Sequence, residues 1–319
     1  MHWVTSDLFH DPAAHATGVH PERPERVAAA RRGVEASPVL ARSLRLAAPR
    51  PATREEILAV HSAPLLDGLE RLARSGGGHA DPDTVVTPRS VEVARLAAGA
   101  AIVAAELAAA AAGGDPRSFA VVRPPGHHAS PDRAMGFCLF NNVAIAVRHA
   151  ARAAGVRRAL IVDFDVHHGN GTQDAFWEDP DVHFLSAHRF PFYPGTGSSS
   201  ERGAGPGEGT TENLPFAAGT PPSIWLPRLF GAVEAAARRF RPEMIFASAG
   251  FDAYAGDPVG GLGLEPRHFS LIGAALRQAA DAHCAGRFAS VLEGGYALDA
   301  LPACVAEYVA GAESAAASP

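Results

Sequence analysis

The stretch Leu160-Ile161-Val162-Asp163-Phe164-Asp165-Val166-His167-His168-Gly169-Asn170-Gly171 constrains this chain more than any other. A run of apolar β-formers reads as a buried strand, yet its far end carries carboxylates and imidazoles. Strand side chains alternate faces, so Asp163, Asp165 and His167 project to one side and Phe164 and Val166 to the other. Two acids and a histidine on one side of a strand end make half of a metal site, while the phenylalanine and valine are left to pack. The glycines that follow let the chain turn sharply into its next element.

Two further segments supply matching chemistry. In Phe119-Ala120-Val121-Val122-Arg123-Pro124-Pro125-Gly126-His127-His128-Ala129 a short apolar strand ends in a stiff Pro-Pro-Gly turn and delivers adjacent histidines. Each imidazole of such a pair takes its own role from its own hydrogen-bond partner. In Met244-Ile245-Phe246-Ala247-Ser248-Ala249-Gly250-Phe251-Asp252-Ala253-Tyr254-Ala255-Gly256-Asp257-Pro258 a second apolar strand ends in a loop carrying aspartates. One histidine and two aspartates give zinc three protein ligands and leave a coordination position open for water, the pattern of a catalytic rather than a structural site. Cys138, Cys284 and Cys304 stand far apart and form no C-x-x-C pair.

The organisation is an alternation of strands and helices. Strands are expected at Phe119–Arg123, Ala159–Phe164, Val182–Ser186, Met244–Ala249 and Phe288–Leu292. Ala- and Leu-rich helices lie between them, among them Pro88 to about Ala112 with Thr87 as N-cap and Gly113-Gly114 as the stop. Alternation of this kind calls for an α/β fold, a parallel sheet covered by helices on both faces. Every chemical motif follows a strand, so all should meet at the carboxyl edge of the sheet, where such folds bind ligands. The Gly/Pro/Ser-rich stretch from Phe190 to Pro222 is too long for a simple connector and is expected to frame the pocket mouth. With no linker or repeat, one domain is expected across residues 1–319, its core from about 5 to 310.

Composition excludes more than it assigns. A formal net charge of -6 without a basic run leaves no nucleic-acid footprint. No opening segment reads as a signal peptide, and no apolar stretch is long enough and free of breakers to span a bilayer. Three unpaired cysteines fit a reducing compartment, and the cytoplasm is the expected location. All 28 basic residues are arginine.

Five motifs stand in the order found in one known family: Arg123-Pro124-Pro125-Gly126-His127-His128-Ala129, Gly136-Phe137-Cys138, Asp163 through Gln173, Ala255-Gly256-Asp257-Pro258 and Glu293-Gly294-Gly295-Tyr296. Together with the opening His20-Pro21-Glu22-Arg23-Pro24-Glu25-Arg26, they resemble the zinc-dependent histone deacetylase superfamily, nearest its class II-like bacterial amidohydrolases. The likeness runs from about Thr5 to Tyr296 and implies an arginase/deacetylase-like fold. Carried over residue by residue, it implies zinc on Asp165, His167 and Asp257. It makes His128 the general base, His127 its electrostatic partner and Asp163 the carboxylate that orients His127. Asn170 stands beside His128 where some relatives have aspartate, and an amide adds no charge, so His128 is expected to be less basic. Tyr296 matches the hydroxyl that stabilises the developing oxyanion.

The resemblance also implies a potassium ion held by Asp163, Asp165, His167, Ser186 and the carbonyl of Ala187, hard oxygen donors suited to such an ion. Gly136, Phe137 and Tyr193 match the channel that grips an alkyl chain, and Asp81, with Asp83 as the alternative, matches a rim aspartate. Val259 occupies the place where polyamine-selective relatives carry an acidic gatekeeper. The implied substrate is an N-acylated lysine peptide or a small acylated amine, hydrolysed by metal-activated water. Three other readings are an acetylpolyamine deacetylase, an arginase-like hydrolase and a non-catalytic binder of acylated ligands. The second would need another aspartate cluster for two manganese ions.

Overall fold

Strands that are buried on both faces need no polar alternation, and the apolar runs of this chain assemble into one parallel sheet. The computed structural model describes residues 1–110 and 114–314. Its strands are β1 (His2–Val4), β2 (Arg45–Ala47), β3 (Gly78–Asp81), β4 (Thr84–Val86), β5 (Arg117–Ala120), β6 (Ala159–Asp163), β7 (Val182–Arg189), β8 (Thr211–Phe216), β9 (Met244–Ala249) and β10 (Phe288–Leu292). Eight of them pair in the order β2-β1-β5-β10-β9-β6-β7-β8, while β3 and β4 form a separate antiparallel hairpin. All residues of β6, β9 and β10 are buried. Helices Ser90–Ala109 and Asn142–Ala153 pack together as one layer, and Glu25–Glu35, Pro222–Phe240, Pro266–His283 and Leu301–Glu313 form the other. This is the helix-covered parallel sheet read from the alternation.

Register sets the site's floor. Asp163, the last residue of β6, is the Cα partner of Ser248 on β9, and Ala249 is that of Leu292, the last residue of β10, so β6, β9 and β10 end within one residue of one another. Chain leaving those ends must therefore converge on a small area of the carboxyl edge.

The strands differ from the sequence reading mostly at their ends. β9 and β10 are as read, β6 stops one residue sooner and β7 runs on to Arg189. β5 begins at Arg117 and is over by Ala120, because Arg123 leaves the ladder to meet a carboxylate in the core. Short β1 and β2 and the loop-borne β8 were not expected. The long helix spans Ser90–Ala109, and its N-cap is Arg89 rather than Thr87. Thr87 is drawn aside: its backbone N–H donates to Ser90 Oγ, and the two hydroxyls lie 2.9 Å apart. Ala112 and Gly113 lie outside the described residues. No helix among the described residues is long and apolar enough to cross a membrane.

The opening His20–Arg26 motif serves the interior. Arg123 donates to both oxygens of Glu22 at 2.7 Å, and to the His15 carbonyl at 3.0 Å. Arg26 adds a second guanidinium 3.7 Å from Glu22, and none of the three side chains has any solvent exposure. Burial opposes ionisation of Glu22, but Arg123 holds its carboxyl well below the usual range. Removing one partner of such a pair strands the other charge. Glu22→Ala is expected to cost about 3–5 kcal/mol in denaturant unfolding, against less than about 1 kcal/mol for Glu92→Ala at an exposed pair. Because the folded-state pKa is depressed, this stabilisation is complete above the ordinary carboxylate range and fades as pH falls below it. A loss under about 1 kcal/mol for Glu22→Ala would show that the pair does not brace the fold.

Candidate active site

β5 and its Pro-Pro-Gly turn deliver the tandem histidines to the sheet's carboxyl edge, 3 % and 4 % exposed. Their rings lie 4.0 Å apart, and each Nδ1 meets a different partner. His127 Nδ1 is 3.0 Å from Asp163 Oδ2, and His128 Nδ1 is 2.8 Å from Asn170 Oδ1. An amide oxygen only accepts, so His128 must donate through Nδ1, which leaves the Nε2 lone pair free. Asp163 likewise takes the Nδ1 proton of His127.

Beside this pair, Asp165, His167 and Asp252 bring one ligand atom each to within 4.8 Å of one another, all buried. His167 Nδ1 lies 3.0 Å from Asp165 Oδ1 and 3.1 Å from Asp252 Oδ2. The third member of this cluster is Asp252, and the charge of Asp257, the ligand the resemblance implies, reaches it from the same loop. Asp257 also accepts backbone N–H groups, on Oδ1 from Val259 and Gly260 and on Oδ2 from Tyr296 and Ala297. It closes its own turn and tethers Tyr296, as ligating carboxylates are commonly held by hydrogen bonds of their own.

The charges suit a cation. Three buried carboxylates this close cannot all ionise unaided. Burial and the charge of Asp165 push Asp252 up to about 7, and burial raises Asp163. Asp165 is driven the other way against burial, chiefly by His127. Burial opposes a charge on His167, yet its bonds to Asp165 and Asp252 raise it to about 9. Two carboxylates and an imidazole thus converge where positive charge is favoured, and a divalent ion would be bound by the same donors. His127 rises to about 10 because Asp165 and Asp163 outweigh burial. His128 goes well below its ordinary value through burial and the charges of His127 and His167. The two histidines of the pair are thus pushed in opposite directions.

The pocket above the cluster holds about 200 Å3 and is lined by Asp83, His128, Gly136, Phe137, His167, Phe192, Tyr193, Val259 and Tyr296. A larger groove of about 710 Å3, beside Trp3, Arg31 and Leu46, contains none of these residues. The β3–β4 hairpin puts Asp83 in the pocket lining, its carboxylate 3.5 Å from His20 Nε2, while Asp81 accepts the Asp83 N–H at 2.9 Å. Thr84 of the same hairpin accepts the Phe137 N–H at 3.1 Å and so fixes one wall. Gly136 has φ +56, and a Cβ there would come within 2.5 Å of the His128 ring. Tyr193 stands edge-on to His128 at 5.1 Å. Phe192, to which sequence reasoning gave no role, stacks on His167 at 5.1 Å and 14°. Aromatic adjacency in Phe192-Tyr193 was the available signal.

Tyr296 is 9 % exposed and meets Phe137 edge-on at 5.8 Å. The Arg26 guanidinium lies 4.6 Å from its ring centroid. Burial raises the phenol well above its ordinary pKa, so it stays a proton donor. Of the expected potassium ligands, Asp163 and Ser186 are register neighbours, and Ser186 Oγ is 2.9 Å from His188 Nδ1.

Residues 20–312 match the histone deacetylase domain family. The chain is 38 % identical over 310 residues to the histone deacetylase-like amidohydrolase of Pseudomonas aeruginosa, covering 95 % of this chain and 80 % of that protein. A probable deacetylase of Methanothermobacter thermautotrophicus is 42 % identical over 92 % of this chain and 86 % of its own length. The rice chloroplastic histone deacetylase 10 is also 42 % identical over 81 % of this chain, which spans 60 % of that longer protein. Among solved structures, the HDA15 HD domain superposes with a TM-score of 0.89 at 34 % identity, over 97 % of this chain and 90 % of that one. With that match reaching from the His20 motif past Tyr296, the chain belongs to the histone deacetylase family of deacetylases and amidohydrolases.

Proposed function

We propose that this protein is a zinc-dependent deacylase that removes acetyl or related acyl groups from acyl-lysine or a similar N-acyl amine. The observation that carries the reading is the meeting, around one pocket, of a buried Asp165–His167–Asp252 cluster, a neutral His128 and the Tyr296 hydroxyl. Asp165, His167 and Asp257 would hold the zinc, with Asp252 of the same loop as the alternative third carboxylate, and the ion when bound would polarise an amide carbonyl and acidify water. His128 takes the proton of the attacking water on Nε2, since its Nδ1–H is committed to Asn170. His127 stays cationic beside Asp163 and stabilises negative charge building nearby. The Tyr296 hydroxyl donates to the developing oxyanion. Protonated His128 then returns its proton to the amine nitrogen as the C–N bond breaks. A potassium ion belongs to the same proposal and would be held by Asp163, Asp165, His167, Ser186 and the carbonyl of Ala187.

Asp257→Ala is expected to abolish stoichiometric zinc and turnover together, whereas Asp252→Ala should keep zinc. Metal analysis of the two purified variants checks this. The reverse pattern would give the third ligand place to Asp252. Tyr296→Phe should lower kcat by about a hundred- to a thousand-fold with little change in KM, the usual cost of one oxyanion donor. A loss of about tenfold or less would mean that the hydroxyl carries little of the charge.

Phe137, Phe192 and Val259 give the channel apolar walls, which suit the neutral stem of an acyl-lysine and not an unpaired ammonium. One observation favours a second reading, an acetylpolyamine substrate: the Asp83 carboxylate at the mouth. Its side chain is 71 % exposed and already faces His20, so it offers a buried cation little. Higher kcat/KM is therefore expected for acetyl-lysine peptides than for acetylspermidine. Val259→Glu should shift the ratio toward polyamines by about 1–3 kcal/mol, the scale of a charge-assisted hydrogen bond. A preference for acetylpolyamines in the unmodified enzyme would make Asp83 the determinant.

A further inference from the structure

The motif Glu293-Gly294-Gly295-Tyr296 leaves β10 and touches every other part of the site. Tyr296 supplies the hydroxyl. The Gly294 N–H donates to Asp165 Oδ2 at 2.8 Å, and a Cβ on Gly294 would fall 2.2 Å from Asp252 Oδ2. The Glu293 side chain has had no part so far, although it has no solvent exposure. It crosses to the end of β5, where its Oε2 accepts the N–H of Gly126 at 2.6 Å and of His127 at 3.1 Å. These two amides belong to the turn that presents the tandem histidines. Its backbone is held as firmly: the Glu293 N–H donates to the Ala249 carbonyl at 3.0 Å, and Arg26 donates to the carbonyls of Glu293 and Gly295. Oε1 is buried without a hydrogen-bond partner among the described residues.

We propose that Glu293 is a positioning residue that locks the His127–His128 turn to the loop carrying Tyr296. A buried carboxylate is a costly way to satisfy two amides unless their location matters. Here general base and oxyanion donor arrive on separate strands, β5 and β10, whose pairing ends at Val291 and Ala120. Beyond that rung no ladder hydrogen bond sets their spacing, and the Glu293 side chain bridges the gap. Burial raises the Glu293 carboxyl to about 7. An acceptor oxygen serves the amides in either protonation state, so reach matters more than charge.

The inference rests on the deacylase reading only for its kinetic readout. Glu293→Gln keeps an acceptor oxygen at the same reach without the charge, and Glu293→Asp keeps the charge one methylene short. On an acetyl-lysine peptide, Glu293→Asp and Glu293→Ala are expected to lower kcat by about 30- to 100-fold with KM within about threefold, while Glu293→Gln stays within about fivefold of the unmodified enzyme. Hydrogen exchange of the Gly126 and His127 amides in the zinc-loaded protein should accelerate by about tenfold or more in the Asp and Ala variants and not in Gln. Gln as damaging as Ala, a loss confined to KM, or amides still protected in Ala and Asp would each overturn the proposal. If Ala fails to fold, the Gln–Asp comparison decides. Should the unmodified protein hydrolyse no acyl amide, the functional reading fails by itself, and the exchange rates still decide whether Glu293 holds the turn.

Discussion

Buried negative charge is the constraint that the rest of this structure answers. Asp163, Asp165 and Asp252 have no solvent exposure and lie close enough to repel one another. Each is compensated by backbone as well as by imidazole. Asp163 accepts the Asp165 N–H, Asp165 accepts those of His167 and Gly294, and Asp252 accepts that of Val166. Such amides are available because β6, β9 and β10 end within one residue of one another and the chain turns immediately beyond them. The parallel sheet is thus the device that makes a dense, dry carboxylate cluster tolerable.

The same cluster divides the histidine pair. Two identical side chains adjacent in sequence face opposite electrostatics, one against Asp163 and one against the neutral amide of Asn170. Were Asn170 a carboxylate, both imidazoles would be drawn toward the cationic form, and the lone pair needed for base catalysis would be filled more of the time. An amide supplies orientation without charge, which keeps His128 empty-handed beside a charged neighbour.

Much of this was legible in the sequence because every motif follows a strand, and the order of motifs along an alternating β/α chain had to bring them to one edge. The period of two holds only as far as Asp163, where β6 ends; Asp165 and His167 lie in the bend beyond it, whose backbone N–H groups donate to Asp163 and Asp165. Loops impose no such period. Asp252 and Asp257 are five residues apart in one loop, and spacing alone gave Asp252 no role. Asp81 and Asp83 flank a hairpin turn and failed to separate for the same reason. The short strands β1 and β2 escaped notice because three residues are too few to show a pattern. Glu293 was visible only as part of a motif, since its partners are backbone amides more than 160 residues earlier.

Asp257 also steadies the proposed oxyanion donor. One loop carries Asp252 into the carboxylate cluster and, five residues on, Asp257 onto the N–H groups of Tyr296 and Ala297. The carboxylate cluster and the proposed oxyanion donor are therefore tied to one short turn. Arg26 adds the third constraint, bonding the Gly295 carbonyl at 2.7 Å and lying against the Tyr296 ring. A phenol fixed from below by a guanidinium and from its own backbone by a carboxylate has little freedom left. Rigidity of that kind is what an oxyanion donor needs, because its hydrogen bond must be aimed at an atom that is absent until the reaction is under way.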